Sequence, residues 1–136
     1  KTLLDSGATM AVGSDWPVGD INPFIPMYLG LTRDGLLDPE EDINHPEQRL
    51  TMEELIPMYT INGAYLMQQE DKTGSIEEGK LADMIVMDRN IMLTPPKELL
   101  KAKVVLTILN GKPVYHADES PMLVAQPQKN HAVGSR

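Results

Sequence analysis

Residues 1–15, KTLLDSGATMAVGSD, decide the predicted fold because they join the end of a helix, a turn and a strand. Lys1 to Ala8 has the pattern of an amphipathic helix that ends at a glycine, Gly7, without an N-cap signal at its start. We therefore expect the chain to begin within a domain. Ala8 to Gly13 is a short apolar run between turn residues, typical of a strand buried on both faces of a parallel sheet. This order predicts an α/β fold.

Composition narrows the classes of protein to which the chain can belong. Its 136 residues, 41% of them apolar, suit one domain with a buried core. A net charge of −8 disfavours nucleic acid as a partner, because binding phosphates needs clustered Lys and Arg. The absence of cysteine excludes disulfides, thiolate catalysis and Cys-based zinc sites, and it leaves the cellular compartment open. Every apolar run is shorter than the ~20 residues that span a bilayer, so we expect no membrane partner.

The middle of the chain predicts helices separated by loops. Asn22-Pro23 should start a short helix around Phe24 to Arg33. Polar, proline-containing sequence then predicts a long loop from Asp34 to Arg49, of a size often found in functional flaps.

The strongest helical pattern runs from Thr51 to about Gln69. Thr51-Met52-Glu53-Glu54 is a capping box, and apolar residues recur at helical spacing after it. Pro57 lies deep enough to kink this helix, while Gly63-Ala64 would allow another backbone to approach closely.

The last third of the chain has the pattern of β structure. Strands are predicted over Ala82–Asp88 and Val104–Leu109, with a helical turn at Pro96–Leu100 between them. Asn110-Gly111 predicts a hairpin with a type I′ turn leading into a further strand. Residues 118–136 lack periodicity and are predicted to be a flexible or surface-draped tail.

Asp15 is the first candidate for a functional residue, because it follows the predicted buried strand directly. An acidic side chain just past the carboxyl end of a parallel strand points into the mouth of an α/β barrel, where ligands bind. Position alone leaves the alternative that Asp15 only forms a turn or cap. Trp16, the single tryptophan, either lines the substrate mouth or covers the rim. For Asp20 and Asn22, Asx-type capping is preferred over substrate contact.

Three blocks of sequence carry a resemblance to a known family. They are Gly13–Val18 (GSDWPV), Leu50–Glu54 (LTMEE) together with Tyr59–Ala64 (YTINGA), and Gly74–Asp83 (GSIEEGKLAD). From Leu4 to His116 the chain resembles the C-terminal third of the amidohydrolase superfamily. More specifically, it is similar to the amidohydrolase-3 branch, which includes N-substituted formamide deformylases and exoenzyme regulatory proteins.

The resemblance implies a (β/α)8 barrel with a divalent metal, usually zinc, at its mouth. The family's Asp after the eighth strand binds the metal and acts as general base and acid, and Asp15 matches that position. Residues 1–69 would then be the last βα elements of the barrel. Residues 70–117 would be the C-terminal strands of a small β-sandwich, with Lys80 and Asp83 in structural roles.

The family's metal-binding histidines lie on strands that this chain does not contain. The three histidines here match no ligand position and are interpreted as surface or structural residues: His45, His116 and His131. One carboxylate cannot complete a three- or four-ligand zinc site. We therefore expect this chain alone to bind no metal tightly and to be inactive. The methionines Met52, Met58 and Met67 are interpreted as packing residues.

The functional hypothesis concerns the intact enzyme. It is hydrolysis of a non-peptide C–N bond in a small amide, formamide or cyclic amide by a metal-activated water, with Asp15 as catalytic residue and metal ligand and Trp16 as substrate contact. The alternative is a non-catalytic truncated product or association module. Strands separated from their sheet expose unpaired edges, so we also expect self-association or pairing with a missing N-terminal part.

Overall fold

The computed structural model describes residues 1–35 and 43–117. These residues form an α/β structure with one three-stranded antiparallel sheet, in the order β1-β2-β3. None of the helices described is long and apolar enough to cross a membrane. The predicted tail and part of the predicted long loop lie outside the described residues. The elements are α1 (Thr2–Asp5), α2 (Phe24–Thr32), a 3-10 helix (Pro46–Gln48), α3 (Met52–Tyr59), α4 (Ile61–Leu66), β1 (Met84–Met87), α5 (Pro96–Leu99), β2 (Val104–Leu109) and β3 (Lys112–His116).

The helix end predicted near Gly7 is confirmed, but the prediction of a buried strand after it is wrong. Gly7 has φ 87 just past α1, the left-handed conformation that glycine adopts at helix ends. Ala8 to Gly13 forms no strand, and five of its six residues are exposed. A strand is defined by its ladder to a neighbour, and every ladder in the described residues joins β1, β2 and β3. The apolar pattern is compatible with a strand, but it carries no information about whether a partner strand is present.

The helix predicted over Phe24–Arg33 is confirmed as α2. The Asn22 side chain accepts a hydrogen bond from the Phe24 N–H at 3.0 Å and starts it. Arg33 ends it in the left-handed conformation, with φ 63. The apolar face of α2 is buried through Phe24, Met27 and Tyr28.

The predicted helix over residues 51–69 is two helices. The capping box is confirmed, since Thr51 accepts from the Glu54 N–H and the Glu54 carboxylate accepts from the Thr51 N–H. The helix stops at Thr60, where φ is −131 and ψ is −98. Pro57 removes one N–H from the helical ladder, and the Thr60 hydroxyl donates to the Ile56 carbonyl at 2.8 Å. α4 then restarts at Ile61.

Within the described residues, a hydrophobic core joins the first half of the chain to the second. Leu99 of α5 and Met58 of α3 are the most deeply buried large side chains, at 0% and 1% exposed. α5 packs against α2. The predicted division of the chain at residues 69 and 70 stays a prediction. The buried members of the core are Phe24, Met27, Met52, Leu55, Met58, Leu99 and Ala102.

The β region follows its sequence pattern closely. β2 spans the predicted residues, and β1 lies within the predicted strand. Asn110 (φ 50) and Gly111 (φ 73) both have positive φ, which confirms the type I′ turn. The Asp83 carboxylate accepts from the Asn110 N–H at 2.6 Å and fixes this turn to the start of β1.

Lys80 has a structural role in the turn before β1. Its side chain is 13% exposed. Its ammonium donates to the Ser75 hydroxyl at 2.6 Å and lies 3.3 Å from the Glu77 carboxylate. The hydrogen bond from Ser75 and the contact with Lys80 lower the pKa of Glu77. These contacts close the turn within the Gly74–Asp83 block.

The block Gly74–Asp83 docks on α4 through its first residue. A Cβ added at Gly74 would lie 2.7 Å from the Ala64 Cβ and 2.8 Å from the Ile61 Cα, and Gly74 has φ +90. A Cβ at Gly63 would meet nothing within 4 Å. The close approach predicted at Gly63-Ala64 is therefore made by Ala64, and Gly74 is the residue that permits it.

Asp88 makes the stability of the fold depend on acid pH. Hydrogen bonds from the Arg89 guanidinium, followed by one from the Lys103 N–H, lower the pKa of Asp88 from 3.8 to about 2. The folded-state pKa lies below the unfolded-state value, so the ionised Asp88 carboxylate stabilises the fold. This contribution is present above pH 3.8 and is lost as the pH falls towards 2.

We therefore expect the urea midpoint of Asp88→Asn to lie below that of the wild type at pH 7, and the gap to narrow between pH 4 and pH 2. Urea titrations of both proteins across this range check the prediction. A gap of constant size would show that the Asp88 carboxylate does not titrate as described.

Candidate functional site

Asp15 lies in a tight exposed loop, Ser14–Gly19. The Asp15 carbonyl accepts from the Val18 N–H at 2.8 Å, which closes a turn at the tip. At the neck, a Cβ added to Gly19 would lie 2.3 Å from the Ser14 carbonyl oxygen, so only glycine fits this loop in its present shape. The loop is therefore compact and presents its tip to the outside.

The side chains at the tip are open to solvent. Asp15 is exposed and has φ 52, a left-handed conformation that Asp tolerates better than most residues. Trp16 is 66% exposed and precedes a cis peptide bond to Pro17. Val18 is 85% exposed. A carboxylate and an indole on adjacent residues are thus both accessible to solvent, and the indole is mostly uncovered by the described part of the chain.

Asp20 and Asn22 serve the loop itself. The Asp20 carboxylate accepts from the Asn22 N–H at 2.8 Å, and the Asn22 side chain accepts from the Phe24 N–H at 3.0 Å. The capping interpretation of both residues is confirmed, because these successive Asx-type bonds lead the chain from the loop into α2.

Two contacts hold the segment that carries Asp15. The Asn62 side-chain amide donates to the Met10 carbonyl at 2.8 Å, and the Val12 N–H donates to the Met58 carbonyl at 3.2 Å. Asn62 is not among the functional residues predicted from the sequence. The available signal was an amide at helical spacing among apolar residues, because a polar group on a packed face needs a hydrogen-bonding partner.

All three histidines are distant from Asp15 in the sequence. Within the described residues, neither His45 nor His116 is part of a metal-binding cluster. His45 starts the 3-10 helix and lies 3.1 Å from the Glu47 carboxylate. His116 ends β3 on the surface, and His131 lies outside the described residues. Within residues 1–35 and 43–117 there is no group of three or more His, Asp or Glu that could hold a metal ion.

Two of the three methionines interpreted as packing residues are buried. Met52 is 5% exposed and Met58 is 1% exposed. Met67 is 69% exposed, so the packing interpretation is wrong there. α4 ends at Leu66, and Met67 lies just past its last turn.

The donor set fits one position of a metal site and no more. Asp15 offers a carboxylate, an oxygen donor that zinc and other divalent metals accept. A zinc site needs three or four protein ligands, and the described residues contain no group of three or more His, Asp or Glu that could hold a metal ion at Asp15. Any metal bound at Asp15 would need further ligands from outside this part of the chain.

The chain is similar to known proteins over most of its length. A model described as "Amidohydrolase family" matches residues 1–115. N-substituted formamide deformylase from Arthrobacter pascens is 31% identical over 111 residues, which are 82% of this chain and 20% of that protein. Imidazolonepropionase from Kosmotoga olearia is 30% identical over 119 residues, covering 85% of this chain and 26% of the relative.

A solved structure agrees with this assignment. The crystal structure of an amidohydrolase from Thermotoga maritima matches with a TM-score of 0.58 and 25% identity, over 84% of this chain and 24% of that one. The chain thus spans about a fifth to a quarter of the relatives it matches. The family match covers both the Asp15 loop and the sheet, and the chain belongs to the amidohydrolase family.

Proposed function

We propose that this chain is the C-terminal portion of a metal-dependent hydrolase that cleaves non-peptide C–N bonds. Residues 1–69 would be the last βα elements of a (β/α)8 barrel, and residues 70–117 the C-terminal strands of a small β-sandwich. The observation that carries the proposal is the exposed Asp15 carboxylate on a compact loop, within the part of the chain that matches the family model.

Asp15 would act as the proton carrier of the reaction. A divalent metal, for which zinc is the best candidate, would activate the attacking water and polarise the carbonyl. An Asp15 oxygen would take a proton from the water as the new C–O bond forms. It would then deliver that proton to the nitrogen as the C–N bond breaks, leaving an acid and an amine. No redox step is needed.

The proposed substrate class is a small amide, formamide or cyclic amide. One relative is named for N-substituted formamides, and another is an imidazolonepropionase. Trp16, 66% exposed beside Asp15, would form an apolar wall for the substrate. Specificity would depend on further loops outside this chain.

The test is to compare this chain with an assembled protein that adds an N-terminal portion of the kind that the relatives carry. We expect the assembled protein to bind metal and to hydrolyse an N-substituted formamide or a cyclic amide. We expect the 136-residue chain alone to do neither. An assembled, metal-loaded protein that hydrolyses no compound of these classes would refute the proposal, and so would tight stoichiometric zinc on the isolated chain.

A second candidate function is that of an association module. In the described part of the sheet, β1 and β3 are edge strands, and Ile85, Leu109 and Tyr115 are each at least half exposed. Such edges and apolar side chains favour pairing with another chain segment. If the chain is an association module, it should form a stable assembly in cells. No longer protein that contains the chain should then have hydrolytic activity.

Both candidates predict that the isolated chain self-associates or pairs with an added N-terminal portion. We expect light scattering to give at least a dimer for the chain alone, and the 1:1 complex to replace it when the N-terminal portion is present. A monomer that melts cooperatively over a wide range of concentrations would contradict this expectation.

A further inference from the structure

In the part of the chain that the structure describes, the segment that leads to Asp15 belongs to no strand ladder and is held by a helix junction. The Asn62 Nδ2 donates to the Met10 carbonyl at 2.8 Å, and the Val12 N–H donates to the Met58 carbonyl at 3.2 Å. Both bonds join residues that lie far apart in sequence, and Asp15 follows Val12 by three residues. The junction of α3 and α4 thus fixes the backbone just before the candidate catalytic loop.

The break between the two helices makes these groups available. α3 ends at Tyr59, and the last carbonyls of a helix, including that of Met58, have no partner within the helix. After the turn at Thr60, Asn62 lies in the first turn of α4 with a partly buried side chain. A continuous helix would have used the Met58 carbonyl for its own ladder.

The two bonds lie close together along the chain, at Met10 and at Val12. The junction provides a donor for the Met10 carbonyl, the Asn62 amide, and an acceptor for the Val12 N–H, the Met58 carbonyl. The junction therefore holds both backbone groups, and the Asn62 amide is the one of these two contacts that a side chain provides.

We propose that Asn62 is a positioning residue for Asp15, acting through the Met10 carbonyl. The catalytic consequence rests on the proposed function, whereas the effect on the loop does not. Asn62 fixes the position of Met10, and therefore the position and direction of the backbone where it enters the Ser14–Gly19 loop. Loss of its donor frees the segment and lets the Asp15 carboxylate move away from its working position, and errors of about 1 Å in a catalytic group lower turnover.

The test variant is Asn62→Asp, which keeps the size of the side chain and places a carboxylate oxygen against the Met10 carbonyl in place of the donor. The matched control is Asn90→Asp. Asn90 uses its side-chain oxygen to accept from the Met92 N–H at 3.0 Å, a role that Asp retains. Both variants add one negative charge, at a partly buried position in Asn62→Asp and at an exposed position in Asn90→Asp. Asn62→Ala removes the donor without adding charge and replaces Asn62→Asp if that variant fails to fold.

The first readouts use the 136-residue chain. We expect amide hydrogen exchange at Val12 to accelerate about tenfold in Asn62→Asp, as expected for the loss of one hydrogen-bond restraint, and the fluorescence anisotropy of Trp16 to fall. Exchange at the amides of β2 should stay unchanged, as should all readouts in Asn90→Asp. Asn62→Gln, which keeps a donor on a longer side chain, should recover part of the Val12 protection.

The second readout uses the assembled enzyme, where Asn62→Asp should lower kcat with little change in KM. Unchanged Val12 exchange and Trp16 anisotropy in both Asn62→Asp and Asn62→Ala would overturn the proposal. An equal loss of protection in β2 would also overturn it, because Asn62 would then stabilise the fold in general. If Asp15→Asn keeps full turnover while the Val12 effect is present, the proposed function fails and the positioning of the loop by Asn62 stands.

Discussion

Asp15→Asn is expected to lower the turnover of the assembled enzyme by about 10³-fold, the range typical of a lost general acid–base group. The substitution keeps the size of the side chain, and Asn tolerates the left-handed backbone conformation at this position, where φ is 52. The folded loop should therefore persist. What disappears is the carboxylate, which accepts a proton from water and returns it to the departing nitrogen; the amide oxygen of Asn is too weak a base for this.

Asp20→Asn is the matched control for this experiment. It lies in the same region of the chain, and its side-chain oxygen accepts from the Asn22 N–H, which an Asn side chain can also do. We expect the turnover of Asp20→Asn to stay within about threefold of the wild type, since the loss of a charge without the loss of the hydrogen bond has a small effect. Near-normal turnover of Asp15→Asn would remove Asp15 from the mechanism.

Gly74→Ala is expected to have the largest effect on stability, a loss of about 3 kcal/mol in the free energy of unfolding. The new Cβ would lie 2.7 Å from the Ala64 Cβ and 2.8 Å from the Ile61 Cα, so α4 and the turn must separate. The positive φ of +90 adds backbone strain. A lowering of the Tm by roughly 10 °C should follow for a chain of this size.

Gly79→Ala separates the two causes. Gly79 has φ +91, nearly the same φ as Gly74, but a Cβ added there meets nothing within 4 Å. It should lose only about 1 kcal/mol, the cost of the left-handed conformation for an L-residue. Urea denaturation of both variants measures the difference. Equal losses in the two variants would mean that Gly74 does not pack against α4 as described.

Local patterns predicted the secondary structure where neighbouring residues determine it. The capping box at Thr51, the α2 helix and the Asn110-Gly111 turn depend on bonds between residues a few positions apart, and all three are present. The helix break at Thr60 was not predicted, because Pro57 indicates a disturbance without fixing the residue at which the helix stops.

The site was predicted only in part, because it depends on contacts between residues that are distant in the sequence. Ala8–Gly13 has the composition of a strand, but a strand needs a partner, and a local pattern does not say whether one is present. Asp15 was found from its place after that segment and from the resemblance. The role of Asn62 depends on a bond across 52 positions, and no local pattern specifies which backbone carbonyl a helical amide will reach.

The joining of two sequence blocks also appeared only in the structure. Gly74 begins one block and Ala64 ends another, and they meet where a side chain on Gly74 would not fit. The sequence indicated that a glycine turn and a small residue were present. Their contact depends on how α4 and the turn pack, which is a tertiary property.

The role of Asp15 is measured most directly by its distance to the metal in a crystal structure of the assembled, metal-loaded enzyme. We expect an Asp15 carboxylate oxygen about 2.0–2.2 Å from the metal, as for a carboxylate ligand of zinc. The loop should remain anchored through the Asn62 bond to the Met10 carbonyl. A complete set of metal ligands without Asp15, with its carboxylate more than about 4 Å from the metal, would show that Asp15 is not a metal ligand.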